Sequence, residues 1–404
     1  MGRTRAWTIV GTVFLMVTAP AALGVGLSGS SEPLSHTAAF SSPPGSWVAG
    51  ELLGYLRGEA SPSSPGGPTL SLPSLAGSQG GSIPVGSSPF GVAYDSAKKQ
   101  LFVSNYDSDN VSVISASTDR VVATVPVGSE PVSIANDSAK REVFVTNYGS
   151  NNVSVISESM DKVVATIPVG TAPQGIAYDW GKKEVFVTNY GSDNVSVISA
   201  STDKVVATVP VGTFPTSVAY DSGKKELFVV NYHSANVSVI SDAKDKVVAT
   251  VSVPGYPVTA AYAPGKKELF VTNYGTNGVD VISDATDTVT TSVLVGTAPS
   301  VAVYDSSNKE AFVSNSQSNN LSVISATTDK VVAWVPVGKD PYGMAYDAQK
   351  KELFVSNSGS NNVTVISVTK LKGDLSSALA SQLGGINTVA ETNQLLASSY
   401  RPTA

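Results

Sequence analysis

Few side chains in this chain could do covalent or metal chemistry. There are two histidines, His36 and His233, and no cysteine, which excludes thiolate nucleophiles, disulfides and thiolate metal centres. His233 lies in a turn whose counterparts elsewhere carry Gly149, Gly191, Gly275 and Gly359, so it reads as a turn substitution without a catalytic partner. Asp107-Ser108-Asp109-Asn110 has the opening of a calcium loop but lacks the glycine and distal glutamate that complete one. No catalytic constellation is visible, no metal site is expected and no cofactor is indicated.

What remains is recognition chemistry. Phe90, Glu130, Gln174, Phe214, Tyr256, Asp340 and Tyr342 each break an otherwise regular local pattern, and with His233 they form the candidate ligand-binding set. Tyr106, Tyr148, Tyr190, Tyr232 and Tyr274 recur at one position, which Ser316 and Ser358 take further on. Aromatic rings beside uncharged polar groups offer apolar stacking with directional hydrogen bonds, which suits a sugar or a peptide. The competing reading is neutral drift of exposed loops. Asn-x-Ser/Thr sequons stand at Asn110, Asn152, Asn194, Asn236, Asn320 and Asn362 in one register, with another at Asn136. They are either glycosylation sites of an exported protein or turn-closing asparagines that duplication has multiplied.

These positions are set by a repeat. Phe102, Phe144, Phe186, Phe228, Phe270, Phe312 and Phe354 open seven near-identical segments spaced 42 residues apart. That period matches one four-stranded propeller blade, and each repeat splits into four short β-rich runs separated by Asp-, Asn-, Ser- and Gly-bearing turns. In the third copy the runs are Gly175 to Tyr178, Glu184 to Asn189, Val195 to Ser199 and Val205 to Val211. The outermost-strand motif Thr-Val-Pro-Val-Gly (124–128) has an extra counterpart, Ser-Ile-Pro-Val-Gly, at 82–86, whereas the seventh copy lacks one. Residues near Ser82 are therefore expected to complete the seventh blade. The fold class is all-β: a single ring of seven four-stranded antiparallel blades closed by an N-terminal strand, followed by a short helical tail with Leu375, Leu379 and Leu383 at helical spacing.

The recurrent Phe-Val-Thr-Asn at 144–147, 186–189 and 270–273, with a proline opening each repeat, resembles the YVTN-type β-propeller repeats of envelope proteins. Other copies place Ser or Val third, and the likeness covers about residues 81 to 368. It implies a secreted or surface-layer-like propeller and assigns no catalytic residue. The asparagine ending the second strand reads as a turn cap bonded to backbone, as does the aspartate opening the first turn.

Arg3 and Arg5 precede an apolar run from Ala6 to Leu27, either a cleaved signal peptide or a retained anchor. Four segments follow: 1–28 signal or anchor, 29–78 Ser/Pro/Gly-rich linker, 79–369 propeller, 370–404 helical tail. The linker contains a candidate short helix from Trp47 to Leu56. A net charge of -6 with 14% charged residues leaves no basic surface for nucleic acid. The sequence thus points to an extracytoplasmic, non-catalytic binding or surface-layer module. Its expected partners are a cell-envelope protein or glycan, with a membrane tether through the N-terminus. The alternatives are a propeller enzyme of lyase, lactonase or quinoprotein type, and a purely structural coat protein.

Overall fold

A computed structural model describes residues 73–75, 77 and 79–382. The N-terminal run, the Trp47–Leu56 helix and Leu383 lie outside the described residues. Blade 1 comprises β2 (Pro89–Asp95), β3 (Gln100–Asn105), β4 (Asn110–Ser115) and β5 (Arg120–Pro126), paired in that order from the axis outward. Five more blades repeat the plan. The seventh takes three strands from Pro341–Ser367 and its outermost from β1 (Gln79–Pro84), which pairs antiparallel with Asn362–Ser367 in the register Ile83 to Val363. The expected closure is what the chain does.

The signature residues divide the work of holding neighbouring blades. Each signature phenylalanine is buried, and Phe144, Phe186, Phe228 and Phe270 stack on Tyr178, Tyr220, Tyr262 and Tyr304 of the next blade at 6.0–6.4 Å. Phe354 stacks on Tyr94 in the same way, carrying the pattern across the ring closure. Valines, leucines and isoleucines complete one apolar cluster at every seam, so the core is a ring of seven cores.

The third signature residue explains why Thr and Ser interchange there. In blade 2 the Thr146 hydroxyl accepts the N–H of Ser133 (2.9 Å) and donates to the carbonyl of Gln174 in blade 3 (2.7 Å). Ser104, Thr272, Ser314 and Ser356 make the same two bonds, ending on the carbonyls of Val132, Ser300, Tyr342 and Phe90. Val230 cannot, and there Thr216 reaches the next blade itself, donating to the Val258 carbonyl at 2.6 Å. Thr146→Val should therefore cost about 2–3 kcal/mol by stranding a buried donor and acceptor, whereas Thr146→Ser should be nearly neutral. Chemical denaturation of the two variants checks this.

The fourth signature residue departs from expectation. In four blades the amide nitrogen bonds side chains and not the backbone: Asn105 Nδ2 donates to Asn110 Oδ1 (2.8 Å) and Ser112 Oγ (2.9 Å), and Asn147, Asn189 and Asn315 repeat the pair. Asn231 and Asn357 keep it and add a backbone carbonyl at 3.4 Å, while Asn273 does bond backbone, donating to the Pro254 carbonyl and accepting from Tyr256 N. An isolated turn needs only a backbone cap, but this amide is buried between two strands whose polar side chains also need partners. The first-turn aspartates do cap backbone, as when Asp95 Oδ1 accepts the N–H of Ala97 at 2.8 Å.

On the face formed by the first and third turns, lysines reach from one blade to the next. Lys182 and Lys224 pair with Asp242 (2.9 Å) and Asp284 (2.7 Å), and Lys98 donates to the Glu158 carbonyl (2.5 Å). Blade 6 has Asn308 in place of the lysine. Helix α1 (Val368–Gln382) supplies Lys372 instead, which donates to Asn308 Oδ1 at 2.7 Å and lies 3.8 Å from Glu310. The helix buries Val368, Leu371 and Leu375 against Leu75 and blades 6 and 7. No helix among the described residues is long and apolar enough to cross a membrane.

At the seam of blades 1 and 2, Glu158 replaces the alanine found at Ala116, Ala200 and Ala326. Burial raises its carboxyl to about 7, and the facing Asp95 carboxylate adds to the rise against the pull of Lys98 and Arg141. A folded-state value above the unfolded one means stability is fully present below about pH 4.5 and lost as pH rises through about 7, by about 3 kcal/mol for this group. Glu310, raised to about 7 by burial against the opposing pull of Lys372, acts in the same direction. Melting temperatures should fall across that window, and Glu158→Gln should flatten the fall.

Candidate functional site

The loops leading into the innermost strands and the turns between second and third strands share one face. They are stitched together: Tyr148 N donates to the Glu130 carbonyl, and Tyr106, Tyr190, Tyr232, Tyr274, Ser316 and Ser358 repeat the bond in the other blades. A second stitch crosses six of the seven seams. Asp109, Asn151, Asp193, Asn277, Asn319 and Asn361 each accept, at 2.8–2.9 Å, the N–H of the residue preceding the next blade's opening proline.

That latch holds an unusual backbone. Ser88, Glu130, Ala172, Phe214, Ala298 and Asp340 all have φ between 51° and 57°, a left-handed conformation that costs a non-glycine residue about 1 kcal/mol or more. Six of the seven lead-in loops thus store strain that the Asx latch over-determines. At Ala235 the latch is missing. The following loop uses Gly255 at φ 108°, and Tyr256 N turns to Asn273 Oδ1 at 3.1 Å.

After the proline, each innermost strand carries a β-bulge, as in blade 1, where the register shifts between Pro89 and Val92. A bulge re-aims a side chain. Here the re-aimed residue is the one after the proline, and all seven line a single opening on the axis: Phe90, Val132, Gln174, Thr216, Val258, Ser300 and Tyr342. Tyr190, Tyr232 and Tyr274 from the second-to-third turns complete the wall. The opening encloses about 630 Å³ including space open to solvent, and continues into a channel of about 750 Å³ walled by the innermost strands. The hydroxyl clamps fix the carbonyls of Phe90, Val132, Gln174, Ser300 and Tyr342, so the bonds that join the blades also position the mouth. Close packing needs glycine beneath Tyr342, where a Cβ on Gly343 would lie 2.1 Å from the Phe90 carbonyl oxygen.

Two aromatic groups face each other across the mouth. On one side Phe90 lies 4.5 Å from Tyr342 and 5.2 Å from Tyr106, ring centre to ring centre, with Val132 and Tyr148 against them. On the other, Phe214 stacks on Tyr190 at 4.5 Å and meets His233 at 5.4 Å, while Tyr232 stacks on Tyr256 at 5.1 Å. Burial pushes the phenols of Tyr232 and Tyr342 up to about 12, so their hydroxyls stay protonated and can donate. Tyr106 is raised still further by burial, then by the Glu130 carboxylate beside it.

Of the candidate residues, Phe90, Gln174 and Tyr342 line the mouth; Phe214, His233 and Tyr256 form its aromatic shoulder; Glu130 and Asp340 belong to the rim loops. Val132, Thr216, Val258 and Ser300 are lining residues that composition hides, because each looks like an ordinary strand residue. Their signal is positional, one place after the proline of every repeat. The residues of the calcium-like run serve the loops: Asp107 accepts from Ser88 Oγ (2.6 Å), Ser108 Oγ accepts from Ser87 N (2.7 Å) and Asp109 latches Glu130. The described residues hold no group of three or more His, Asp or Glu side chains arranged for a metal.

The register sequons sit where the third strands begin. Asn110 and Asn194 donate their amide nitrogens to the carbonyls of Ser108 and Ser192 at 2.9 Å, and the sequon serines Ser112 and Ser196 are buried acceptors of the signature asparagine. Asn136 lies apart, at the opposite face, with its amide on Ser138 Oγ at 3.2 Å.

No family model and no curated protein matches the chain. Among solved structures, it is similar to a chain of Kuenenia stuttgartiensis Hydrazine Synthase, with a TM-score of 0.63 and 22% sequence identity over 70% of this chain and 96% of that one. At that identity the likeness supports the propeller fold alone.

Proposed function

We propose that the protein is an exported, envelope-associated binding module that holds a glycan or an envelope protein at the axial mouth, without catalysis. One observation carries the reading. Beneath the mouth the blades are nearly interchangeable, with the same clamps and latches, yet the seven side chains presented to the axis are six different residue types. A symmetric scaffold presenting an asymmetric, aromatic-rich wall is how a rigid fold carries a specific site on its loops. The basic, uninterrupted apolar N-terminus supports export, and the YVTN-like signature supports an envelope setting. His233, exposed on the shoulder beside Phe214, suits ring stacking better than proton transfer, since no carboxylate among the described residues orients it.

The test is retention of the protein by envelope preparations of its native host. Wild type should bind saturably, with Tyr232→Ala and Phe214→Ala reducing retention at least about tenfold and Trp180→Ala, on the opposite face, leaving it unchanged. Equal retention of all four would overturn the proposal.

A further inference from the structure

The charge of the mouth narrows its ligand. Among the described residues, the lead-in loops and second-to-third turns carry five carboxylates, Asp107, Asp109, Glu130, Asp193 and Asp340, against a single lysine, Lys339. By the same count the turns of the opposite face hold fourteen lysines and arginines against nine carboxylates. Glu130 and Asp340 stand in the loops of blades 2 and 7, so they flank the blade 1 wall where Phe90 meets Tyr342. The wall itself has no charged residue.

A second observation points to something that fills this space. The Tyr190 hydroxyl is buried at the mouth, on a residue only 9% exposed, and has no hydrogen-bond partner among the described residues. A buried phenol is normally paired, so the wall lacks a polar group that a bound molecule would supply. The faces of aromatic rings carry negative potential, which attracts organic cations, and an acidic rim strengthens that field where water is partly excluded. A neutral sugar would use the rings and gain nothing from the rim; an anion would be repelled by it.

We infer that the mouth takes an organic cation, a lysine- or arginine-type side chain presented by a basic segment of an envelope protein. It would seat among Phe90, Tyr190, Tyr232 and Tyr342 under the field of Glu130 and Asp340. This rests on the mouth being the binding site, and it selects protein over glycan as the ligand.

The test uses the full chain and three probes: choline, its neutral carbon isostere 3,3-dimethylbutan-1-ol, and cellohexaose, titrated by calorimetry. Choline should bind saturably and about tenfold or more tighter than the isostere, and raising the sodium chloride concentration should weaken it. The double variant Glu130→Gln/Asp340→Asn, whose amides keep the loop shape, should lose about fivefold in choline affinity with an unchanged melting temperature. Isostere binding as tight as choline would overturn the cation assignment. Cellohexaose binding without choline binding would overturn it too, while leaving the mouth as the site. Binding of neither probe, with envelope retention insensitive to Tyr232→Ala, would remove both readings.

Discussion

Deleting Gln79–Pro84 is expected to destabilise the whole ring far beyond the loss of six residues. β1 is the outermost strand of blade 7, and Ile83 on it is buried with Leu101, Phe354, Val363 and Val365 at the seam where the chain's ends meet. Truncating that one side chain, as Ile83→Ala, should cost about 2–5 kcal/mol. Removing the strand also frees the ladder along Asn362–Ser367 and exposes an edge beside the ring's only non-sequential junction, so the cost should exceed that range. Thermal unfolding with limited proteolysis is the check. A deletion variant melting with the wild type would refute closure by β1.

The second large effect is expected at α1. Leu371 is 2% exposed and packs with Leu75, Val332, Val335 and Leu375 over the outside of blade 6. Equivalent outer-strand valines elsewhere, Val122, Val206 and Val248, are about half exposed, so the helix and the segment carrying Leu75 convert an open blade flank into a core. Leu371→Ala should cost about 2–5 kcal/mol, and Leu371→Asp more, because it buries a charge with no partner. Denaturant titration of both measures this. Lys372→Ala serves as the companion variant, since it leaves Glu310, already raised to about 7 by burial, without its cation. An unaltered midpoint in Leu371→Asp would show that the helix does not hold the ring.

How legible these features were in the sequence follows from their range. Ring number, strand order and closure were readable because they depend on a period and on one displaced motif, Ser82 to Gly86, both of which are one-dimensional. The docked helix was readable from Leu375 and its spacing, though its start at Val368 and the exchange of Asn308 for Lys372 were not, since the missing lysine and its substitute are 64 residues apart. The hydroxyl clamp at Thr146 and the Asx latch at Asn151 look like turn-forming residues within a repeat. Their partners lie 28 and 21 residues on, in the next blade, and only the seam shows them. The mouth was half visible for a related reason. Phe90, Gln174 and Tyr342 stand out by type, whereas Val132, Thr216, Val258 and Ser300 become wall residues through a backbone bulge that no side chain announces.

The same bulge gives the mouth its rigidity. Every re-aimed residue follows a proline whose φ is fixed, six of the seven have their carbonyl held by a neighbour's hydroxyl, and in six of the seven loops the left-handed residue before the proline is held by the latch. A ligand entering such a wall meets side chains that lose little freedom on binding, which favours affinity from few contacts.

The most direct measurement is hydrogen–deuterium exchange of the full chain with and without solubilised envelope from its native host. The mouth as binding site requires new protection in the lead-in loops around Ser88–Phe90, Phe214–Thr216 and Asp340–Tyr342 and in the turns at Tyr190 and Tyr232, with the first- and third-turn face unchanged. Protection confined to the turns at Asp95, Asp179 and Asp203, with none around the axis, would contradict it.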